Sequence, residues 1–537
     1  MTDPDDDKTK DQQDAEEKAR RWLKVIDTYD REFKPWSTRC EKIIKIYTEK
    51  RRTEGTEVRR MSLLWSNISV LQPAIYAKMP QPNVTRRFKD DDPVARAASE
   101  MVERAIHYTF DDADFDGVMR GVRDDYLLVG RGTAWVRYDA EFSPLMGDDG
   151  NALNKAGAPL NDGEEAGEQL EGEHVCWDYV NWRDFGHNVA RTWQEVTTVW
   201  RKVYMDRKQG EKRFGKEEFK SVELDHKVGD DTESRNTESQ QPAKATVYEI
   251  WDKTSNKVIF LAKGGKVILE EADPYLDFKD FFPCPKPVYG TLETASVVPV
   301  PDYVFYQDQL EEIDDLTARI GALLDQLKVA GFYPASASDS SEAIQQIAMK
   351  GVENVLIPIP NWNQFKEGGG AAGMIEWWPV DQVIKVLEGS FTARKQLIDD
   401  VYQITGISDI MRGEGDKNET ATAQNIKSQW GSVRIRERQA EMATFAKQAA
   451  RLTAEIISEQ FQPETLMAMT NMKLPTQKAL DEQALQAAIK AKIAEAQQQQ
   501  QAAMMGHNGG PPMGQPMPPQ ATGGAPMPQA MPQGVPA

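Results

Sequence analysis

Residues 302–330, DYVFYQDQLEEIDDLTARIGALLDQLKVA, carry a long and regular helical pattern and decide the fold. Apolar side chains recur there every three or four residues, the spacing that places them on one face of an α-helix. They are Leu310, Ile313, Leu316, Ile320, Leu323, Leu324 and Leu327. With a rise of 1.5 Å per residue, the predicted helix is about 43 Å long. We expect it to end at Gly331.

The first half of this helix is acidic. Its carboxylates are Asp308, Glu311, Glu312, Asp314 and Asp315. Long helices with one apolar face pack side by side, and head-to-tail repetition of such a contact closes a ring. A bundle within one chain explains the same periodicity at least as well, so this pattern alone does not define an assembly.

Helical periodicity recurs on both sides of this segment. Downstream it predicts helices over residues 380–402, 419–461 and 476–495. Upstream it predicts a helix over residues 16–50 that is interrupted at Pro35, and a helix over 61–79 that breaks at Pro73. A third helix is predicted to begin at Pro93, with Asp92 as its N-cap. A fourth is predicted over 115–128 and ends at Gly130. The chain is therefore mainly helical.

The region between these helices has the alternation of a small β domain. Strands are predicted over residues 133–139, 174–180, 196–204, 246–251 and 257–261. Two polar insertions, residues 146–173 and 206–245, are interpreted as loops or disordered excursions. The acidic residues 1–15 and the Gln/Pro/Met-rich residues 497–537 are predicted to be disordered tails. The fold class is α+β, mainly helical.

Composition narrows the function. The 537 residues are enough for about two to four domains. The net charge of −20 makes tight, general DNA binding a poor hypothesis, because phosphate binding needs a basic face. Three scattered cysteines argue against a disulfide scaffold or a zinc site. No apolar run approaches the roughly 18 residues of a membrane span, so we expect a soluble protein made in a cytoplasm.

A search for catalytic motifs is negative. The chain has no phosphate-binding loop of the GxxxxGK[ST] type and no GxSxG nucleophile motif. Gly130-Arg131-Gly132 follows a predicted helix and precedes a predicted strand, so it is interpreted as a turn. We predict that the protein is not an enzyme and uses no cofactor or metal. A metal-dependent nuclease built from scattered carboxylates, and a scaffold or adaptor protein, stay open as alternatives.

Several short motifs occur in an order that points to one family. They are residues 63–67 (LLWSN), 73–76 (PAIY), 86–93 (RRFKDDDP), 127–132 (LLVGRG), 299–307 (PVPDYVFYQ), 405–413 (TGISDIMRG), 419–424 (ETATAQ) and 431–435 (GSVRI). On these motifs the chain resembles the portal proteins, or head-to-tail connectors, of podovirus-type tailed bacteriophages. The resemblance covers about residues 20–460.

The resemblance implies a portal-like architecture. In it, residues 16–301 are a wing of helices and a small β-barrel-like domain, and 302–330 and 380–403 are two stem helices. A small α/β clip, residues 331–379, joins the stems. The remaining parts are a tunnel loop at residues 404–418, a long wing helix at 419–461 and crown helices at 462–496.

The resemblance also implies a function. Portal proteins form a ring, usually of twelve subunits, at one capsid vertex, where double-stranded DNA passes during packaging and ejection. The implied partners are the terminase large subunit, head–tail adaptor and tail proteins, and the major capsid and scaffolding proteins, with no membrane. The implied locations are the virion and, during assembly, the host cytoplasm. The candidate DNA contacts of the tunnel loop are Ile410, Met411, Arg412 and Lys417, and the five acidic residues named above are the candidate channel lining.

Overall fold

A computed structural model of the chain describes residues 4–50, 58–86, 92–146, 153–154, 158, 167–226, 243–265, 268–327, 331–332, 376–377, 380–407, 421–473, 486, 489–490 and 492–493. Two compact units divide the chain, Met1–Met472 and Lys473–Ala537. In the second unit residues 486, 489–490 and 492–493 are helical. The first unit contains both helices and antiparallel sheets, with more helix than strand, which agrees with the predicted α+β class.

Four helices open the first unit: α1 (Pro4–Tyr47), α2 (Leu63–Ile75), α3 (Pro93–Asp112) and α4 (Phe115–Val129). The predicted start of α3 is confirmed, because the Asp92 carboxylate accepts a hydrogen bond from the Val94 N–H at 2.9 Å. The predicted end of α4 is confirmed as well. Gly130 follows it with φ +81°, the left-handed conformation that favours glycine.

Helix α1 differs from its prediction at two points. It begins at Pro4, so it includes most of the segment predicted as a disordered tail over residues 1–15. It also continues through Pro35 without ending. Phe33 and Trp36 flank this proline and are both buried. Their packing outweighs the backbone hydrogen bond that proline cannot make.

The β region consists of open antiparallel sheets. Its strands are β1 (Arg131–Pro144), β2 (Glu168–Val180), β3 (Phe185–His187), β4 (Thr198–Met205), β5 (Ala245–Asp252), β6 (Lys257–Ala262), β7 (Ile268–Ala272), β8 (Val288–Tyr289), β9 (Thr291–Leu292) and β10 (Pro299–Val300). The orders are β2-β1-β8, β3-β4-β5-β6-β7 and β10-β9. Among the described residues β3 and β7 do not pair with each other, so the five-stranded sheet is open there, and the barrel-like form of the domain stays a prediction.

Both predicted insertions are smaller than expected. Strand β2 begins at Glu168 and pairs with Pro144 of β1, so the hairpin extends into residues 146–173. Residues 206–245 contain two helices, α5 (Arg207–Phe214) and α6 (Lys216–Lys220). Phe219 of α6 is fully buried, and Phe214 lies 5.5 Å from the Phe260 ring of β6. These two aromatic side chains hold a charged segment on the sheet.

The C-terminal part of the first unit is helical. It begins with a 3-10 turn (Asp302–Phe305). The elements that follow in chain order are α7 (Gln307–Gln326), β11 (Gly331–Phe332), β12 (Glu376–Trp377), α8 (Val380–Thr405), α9 (Ala421–Gln460) and α10 (Pro463–Thr470). The predicted helix over residues 302–330 is therefore too long. Tyr306 has φ −137° and separates the 3-10 turn from α7. With 20 residues, α7 is about 30 Å long.

A polar network joins the two larger sheets. Arg201 of β4 donates to Glu249 of β5 at 2.7 Å and to Asp178 of β2 at 2.9 Å. Arg137 of β1 donates to the same Asp178 oxygen at 3.1 Å. The Arg201 guanidinium also lies 5.0 Å from the centre of the Trp135 ring. Each buried charge thus has a partner, which is the condition under which burial of charge is tolerated.

Arg131, the first residue of β1, is fully buried. Its Nη1 donates to the Tyr29 hydroxyl of α1 at 2.8 Å, and its Nη2 donates to the carbonyls of Trp182 at 2.9 Å and Phe185 at 3.1 Å. The guanidinium carbon lies 4.6 Å from the Trp36 ring centre. Helix α1, strand β1 and the β2–β3 connection therefore meet at one cation.

We predict that Arg131→Met lowers the free energy of unfolding by about 3 kcal/mol, because charge-assisted hydrogen bonds are lost and buried carbonyls lose their donor. Arg131→Lys, which keeps the charge and part of the donor set, should cost less. Urea titration followed by tryptophan fluorescence measures both changes. Equal stability of the Met variant and the parent protein would contradict this role.

Asp125 of α4 is a buried carboxyl close to this cation. It accepts hydrogen bonds from the Tyr179 hydroxyl at 2.6 Å and from the Trp182 N–H at 3.1 Å. Burial raises the pKa of Asp125 to about 7, although both hydrogen bonds and Arg131 lower it, and Asp124 beside it raises it. Between the ordinary value of 3.8 and about 7, the folded state holds a proton that the unfolded state has released. The contribution of Asp125 to stability therefore falls as the pH rises through this window.

We predict that Asp125→Asn removes this pH dependence, because the amide oxygen can accept both hydrogen bonds and carries no charge. The melting temperatures of the parent and the variant should be most similar near pH 4, and the variant should gain on the parent up to about pH 7, reaching a lead of about 2 °C or more near pH 8.5. Thermal denaturation across this range tests the expectation. A difference that does not change with pH would show that Asp125 does not titrate there.

Candidate functional site

Helices α7 and α8 pack against each other as an antiparallel pair. Strand β11 follows α7, strand β12 precedes α8, and the two strands pair in antiparallel register, with Gly331 opposite Trp377. At the other end of the pair, Tyr306 before α7 and Ile404 of α8 line one groove. The two predicted stem helices are therefore brought together, with the ends of the predicted clip at one end of the pair.

The five predicted channel-lining carboxylates divide into two groups. Asp308, Glu312 and Asp315 are spaced so that they share the outer face of α7. All three are exposed. Within the described part of the chain they take part in no hydrogen bond or ion pair. Their negative charge lies at the surface, and Asp315 also borders a groove lined by Lys42 and Lys45 of α1.

Glu311 and Asp314 lie on a neighbouring face of α7 and have structural partners. Glu311 forms an ion pair with Lys42 of α1 at 2.8 Å, and Asp314 accepts a hydrogen bond from the Met61 N–H at 2.9 Å. Farther along the same face, Asp325 pairs with Arg59 at 3.3 Å. These carboxylates pair α7 with the N-terminal segment, and Glu311 and Asp325 are also exposed at the surface.

Helix α8 has exposed apolar side chains on two separate flanks. Its buried stripe includes Leu387, Ser390 and Val401. Ile384 and Phe391 are seven residues apart and lie on one side of this stripe, with exposures of 39% and 41%. Val386 lies on the other side and is 54% exposed. In the described residues α7 covers the stripe and leaves both flanks open.

A groove of about 620 Å³ lies where α7 begins and α8 ends. Its walls come from α2, α4, α8 and α9 and include Leu71, Tyr126, Phe305 and Ile407. Arg438 of α9 donates to the Asp302 carboxylate at 2.5 Å across the groove. The Asp302 carboxylate beside Arg438 raises the pKa of that guanidinium, although burial lowers it. The pair joins α9 to the start of α7.

A second arginine of α9 binds the end of α8. The Arg434 Nη1 donates to the Ile404 carbonyl at 3.1 Å, one of the carbonyls that a helix leaves unsatisfied at its C-terminus. Gly406 follows with φ +71°, and a Cβ at this position would lie 2.8 Å from the same Arg434 nitrogen. The glycine therefore permits both the left-handed turn and the approach of Arg434.

The predicted tunnel-loop contacts, Ile410, Met411, Arg412 and Lys417, lie outside the described residues. So do residues 333–375 of the predicted clip. In the described part of the chain no group of three or more His, Cys, Asp or Glu side chains is arranged to hold a metal ion.

The roles of Arg131, Arg434 and Arg438 are not predicted from the sequence. The sequence places Arg131 in a predicted turn, although it stands in a long apolar run, YLLVGRGTAWV (residues 126–136), where an arginine is unusual. That context was the available signal for a buried cation. Arg434 and Arg438 stand four residues apart on α9, the spacing of one helix face. Nothing local indicates that their partners come from elsewhere in the chain.

No protein-family profile matches the chain, and no curated protein matches it. No helix in the described ranges combines the length and the apolar character that a membrane crossing requires.

We predict that the two acidic groups of α7 respond differently to substitution. The triple variant Asp308→Asn, Glu312→Gln, Asp315→Asn should keep the free energy of unfolding within about 0.5 kcal/mol, since these side chains have no described partners. Asp314→Ala should lower it by about 1 kcal/mol, because the Met61 N–H loses its acceptor. Denaturant unfolding compares the variants. A larger loss in the triple variant would contradict the division into two groups.

Proposed function

We propose that this chain is a structural subunit of a portal ring, which gives double-stranded DNA a channel through one vertex of a viral capsid. On this proposal twelve copies form the ring. The terminase large subunit and later the head–tail adaptor and tail proteins dock at its outer end. The major capsid and scaffolding proteins surround it. The sequence resemblance suggests this function, and the surfaces of the helix pair support it.

The observation that carries the proposal is the placement of apolar side chains on both flanks of α8. A two-fold dimer uses one self-complementary patch, whereas a ring joins two different patches head to tail. Ile384 and Phe391 on one flank and Val386 on the other fit the second arrangement. Exposed apolar side chains on one helix of a pair favour contact with further protein rather than water.

The outer face of α7 supports a passage for DNA. Asp308, Glu312 and Asp315 would repel phosphates, so a duplex could slide along this face without binding to it. Glu311 and Asp314, proposed from the sequence as further lining residues, are engaged by Lys42 and the Met61 N–H. The proposed acidic lining therefore consists of three residues, whereas five were proposed from the sequence.

The remaining parts follow the layout that the resemblance implies. Helices α1 to α4, the sheets and α9 would form the wing, and α7 and α8 the stem. The clip would lie between Gly331 and Trp377, where β11 and β12 pair. The crown would begin with α10. The virion, and the host cytoplasm during assembly, are the proposed locations.

Native mass spectrometry with negative-stain imaging tests the proposal directly. A ring of twelve copies has a mass of about 0.7 MDa, twelve times the 60.5 kDa chain, and a central hole. The variants Ile384→Ser/Phe391→Ser and Val386→Ser should each prevent ring closure. Val189→Ser, which changes an exposed apolar side chain between β3 and β4, is the matched control and should still form rings.

Mixing the two flank variants distinguishes a ring from a symmetric dimer. Each variant keeps one intact flank, so an equimolar mixture should form a single intact contact. The product should be a pair of chains of about 0.12 MDa, twice the 60.5 kDa chain mass, and no ring. If the parent protein is monomeric at every concentration, the portal proposal is wrong, and a scaffold or adaptor protein becomes the favoured function.

A further inference from the structure

The core around Arg131 contains three buried polar atoms that have no hydrogen-bond partner among the described residues. They are the Arg131 Nε, the His187 Nε2 and the Tyr289 hydroxyl oxygen. Buried polar atoms in folded proteins are nearly always paired, because an unpaired group leaves water and gains no bond in return. The Trp177 Nε1 follows this rule in the same chain, since it donates to the Thr453 hydroxyl of α9 at 3.1 Å. The three atoms near Arg131 therefore indicate a further partner.

His187 of β3 and the Arg131 guanidinium have the same aromatic neighbours. The His187 ring centre lies 5.4 Å from the ring centres of Tyr29 and Phe33 and 6.2 Å from that of Phe185. The Arg131 Nη1 donates to the Tyr29 hydroxyl. The guanidinium carbon lies 5.7 Å from the Phe33 ring centre and 5.3 Å from that of Phe185. The imidazole and the guanidinium are therefore enclosed by one set of rings.

Tyr289 of β8 reaches this part of the core from the neighbouring strand. It stands directly opposite Arg131 in the antiparallel pair of β1 and β8, so both side chains lie on the same face of the sheet. Both side chains are also buried. Burial raises the pKa of the Tyr289 hydroxyl, whereas the nearby charge of Arg131 lowers it. Arg131 thus has His187 on one side and Tyr289 on the neighbouring strand.

The hydrogen-bonding capacities of the three atoms are complementary. The Arg131 Nε–H can only donate. The His187 Nδ1 lies 2.9 Å from the Asn188 carbonyl oxygen, which can only accept, so Nδ1 carries the ring proton and Nε2 is an acceptor. Burial lowers the pKa of His187 to about 3, and the Arg131 charge lowers it as well, so the ring is neutral at neutral pH. The Tyr289 hydroxyl can donate or accept, and a shared ligand must do both.

We propose that the Arg131 Nε–H, the His187 Nε2 and the Tyr289 hydroxyl bind one internal water molecule. The water accepts from Nε–H, donates to Nε2 and forms its third bond with the hydroxyl. Three hydrogen bonds are typical of buried water. A halide ion has no proton for Nε2, and a metal cation would be repelled by Arg131 and could not accept from it. The water joins β1, β3 and β8, and this inference does not depend on the portal proposal.

An experimental structure of the full chain, at a resolution that shows ordered water, tests the site directly. Its density should contain one peak at roughly 2.6–3.2 Å from the Arg131 Nε, the His187 Nε2 and the Tyr289 hydroxyl oxygen. The peak should weaken or disappear in Tyr289→Phe. A direct hydrogen bond between His187 and Tyr289, or a core without a peak in contact with these atoms, would overturn the proposal.

Tyr289→Phe also tests the site in solution, because it removes only the hydroxyl. If water is the partner of this hydroxyl, the ratio of folded to unfolded protein should fall about fivefold. Urea titration followed by tryptophan fluorescence measures the ratio. Tyr108→Phe, at an exposed tyrosine of α3, is the matched control and should leave the ratio unchanged. An unchanged or higher ratio for Tyr289→Phe would show that the hydroxyl is unpaired in the core, and the proposal would be wrong.

A double-mutant cycle tests whether the atoms share one ligand. His187→Asn keeps a side-chain amide near the position of Nδ1 and has no atom at that of Nε2. If one water bridges Nε2 and the Tyr289 hydroxyl, either substitution alone disturbs it. The variant with both substitutions should therefore lose less than the product of the two single losses, by a factor of about two or more. Losses that simply multiply would show that the two groups are independent and would contradict a shared water.

Discussion

The structure depends on how it accommodates one buried positive charge. The Arg131 guanidinium is removed from water, and it donates hydrogen bonds to a hydroxyl and two backbone carbonyls. Neutral acceptors and aromatic rings replace its hydration, and they come from segments far apart in the chain. The N-terminal helix, the β2–β3 connection and the first strand must therefore all be in place before this cation is stabilised. This requirement links the helical layer to the sheets.

Helix ends could be predicted from the sequence where they depend on local chemistry. Asp92 and Gly130 are such cases, because a capping side chain and a left-handed glycine act within a few residues. Pro35 is the opposite case. Its local preference is to interrupt a helix, and only the distant burial of Phe33 and Trp36 explains why α1 continues. Whether the strands form an open sheet or a barrel depends on pairing between β3 and β7, which no local pattern encodes.

For the candidate site too, the sequence predicts the features that depend on local pattern and does not predict those that depend on distant partners. Periodicity identified α7 and α8 and their acidic and apolar residues, since these features repeat along one helix. It could not separate Asp308, Glu312 and Asp315 from Glu311 and Asp314, because the partners of the second group lie in α1 and near Met61. One helix thus has two electrostatic roles, with one face attached to the body by charge and the next left open. The proposed channel lining is the open face.

The contact between Trp177 and Thr453 has a consequence for biosynthesis. These residues are 276 positions apart, and the hydrogen bond joins β2 to a helix near the end of the first unit. At about 5–20 residues per second, a ribosome needs on the order of half a minute to make the intervening chain. During that time the apolar face of β2 lacks its cover, so the nascent chain needs protection from aggregation. A truncated product would lack α9 and keep that face exposed, which makes it a substrate for cellular proteases and chaperones before it can meet other copies.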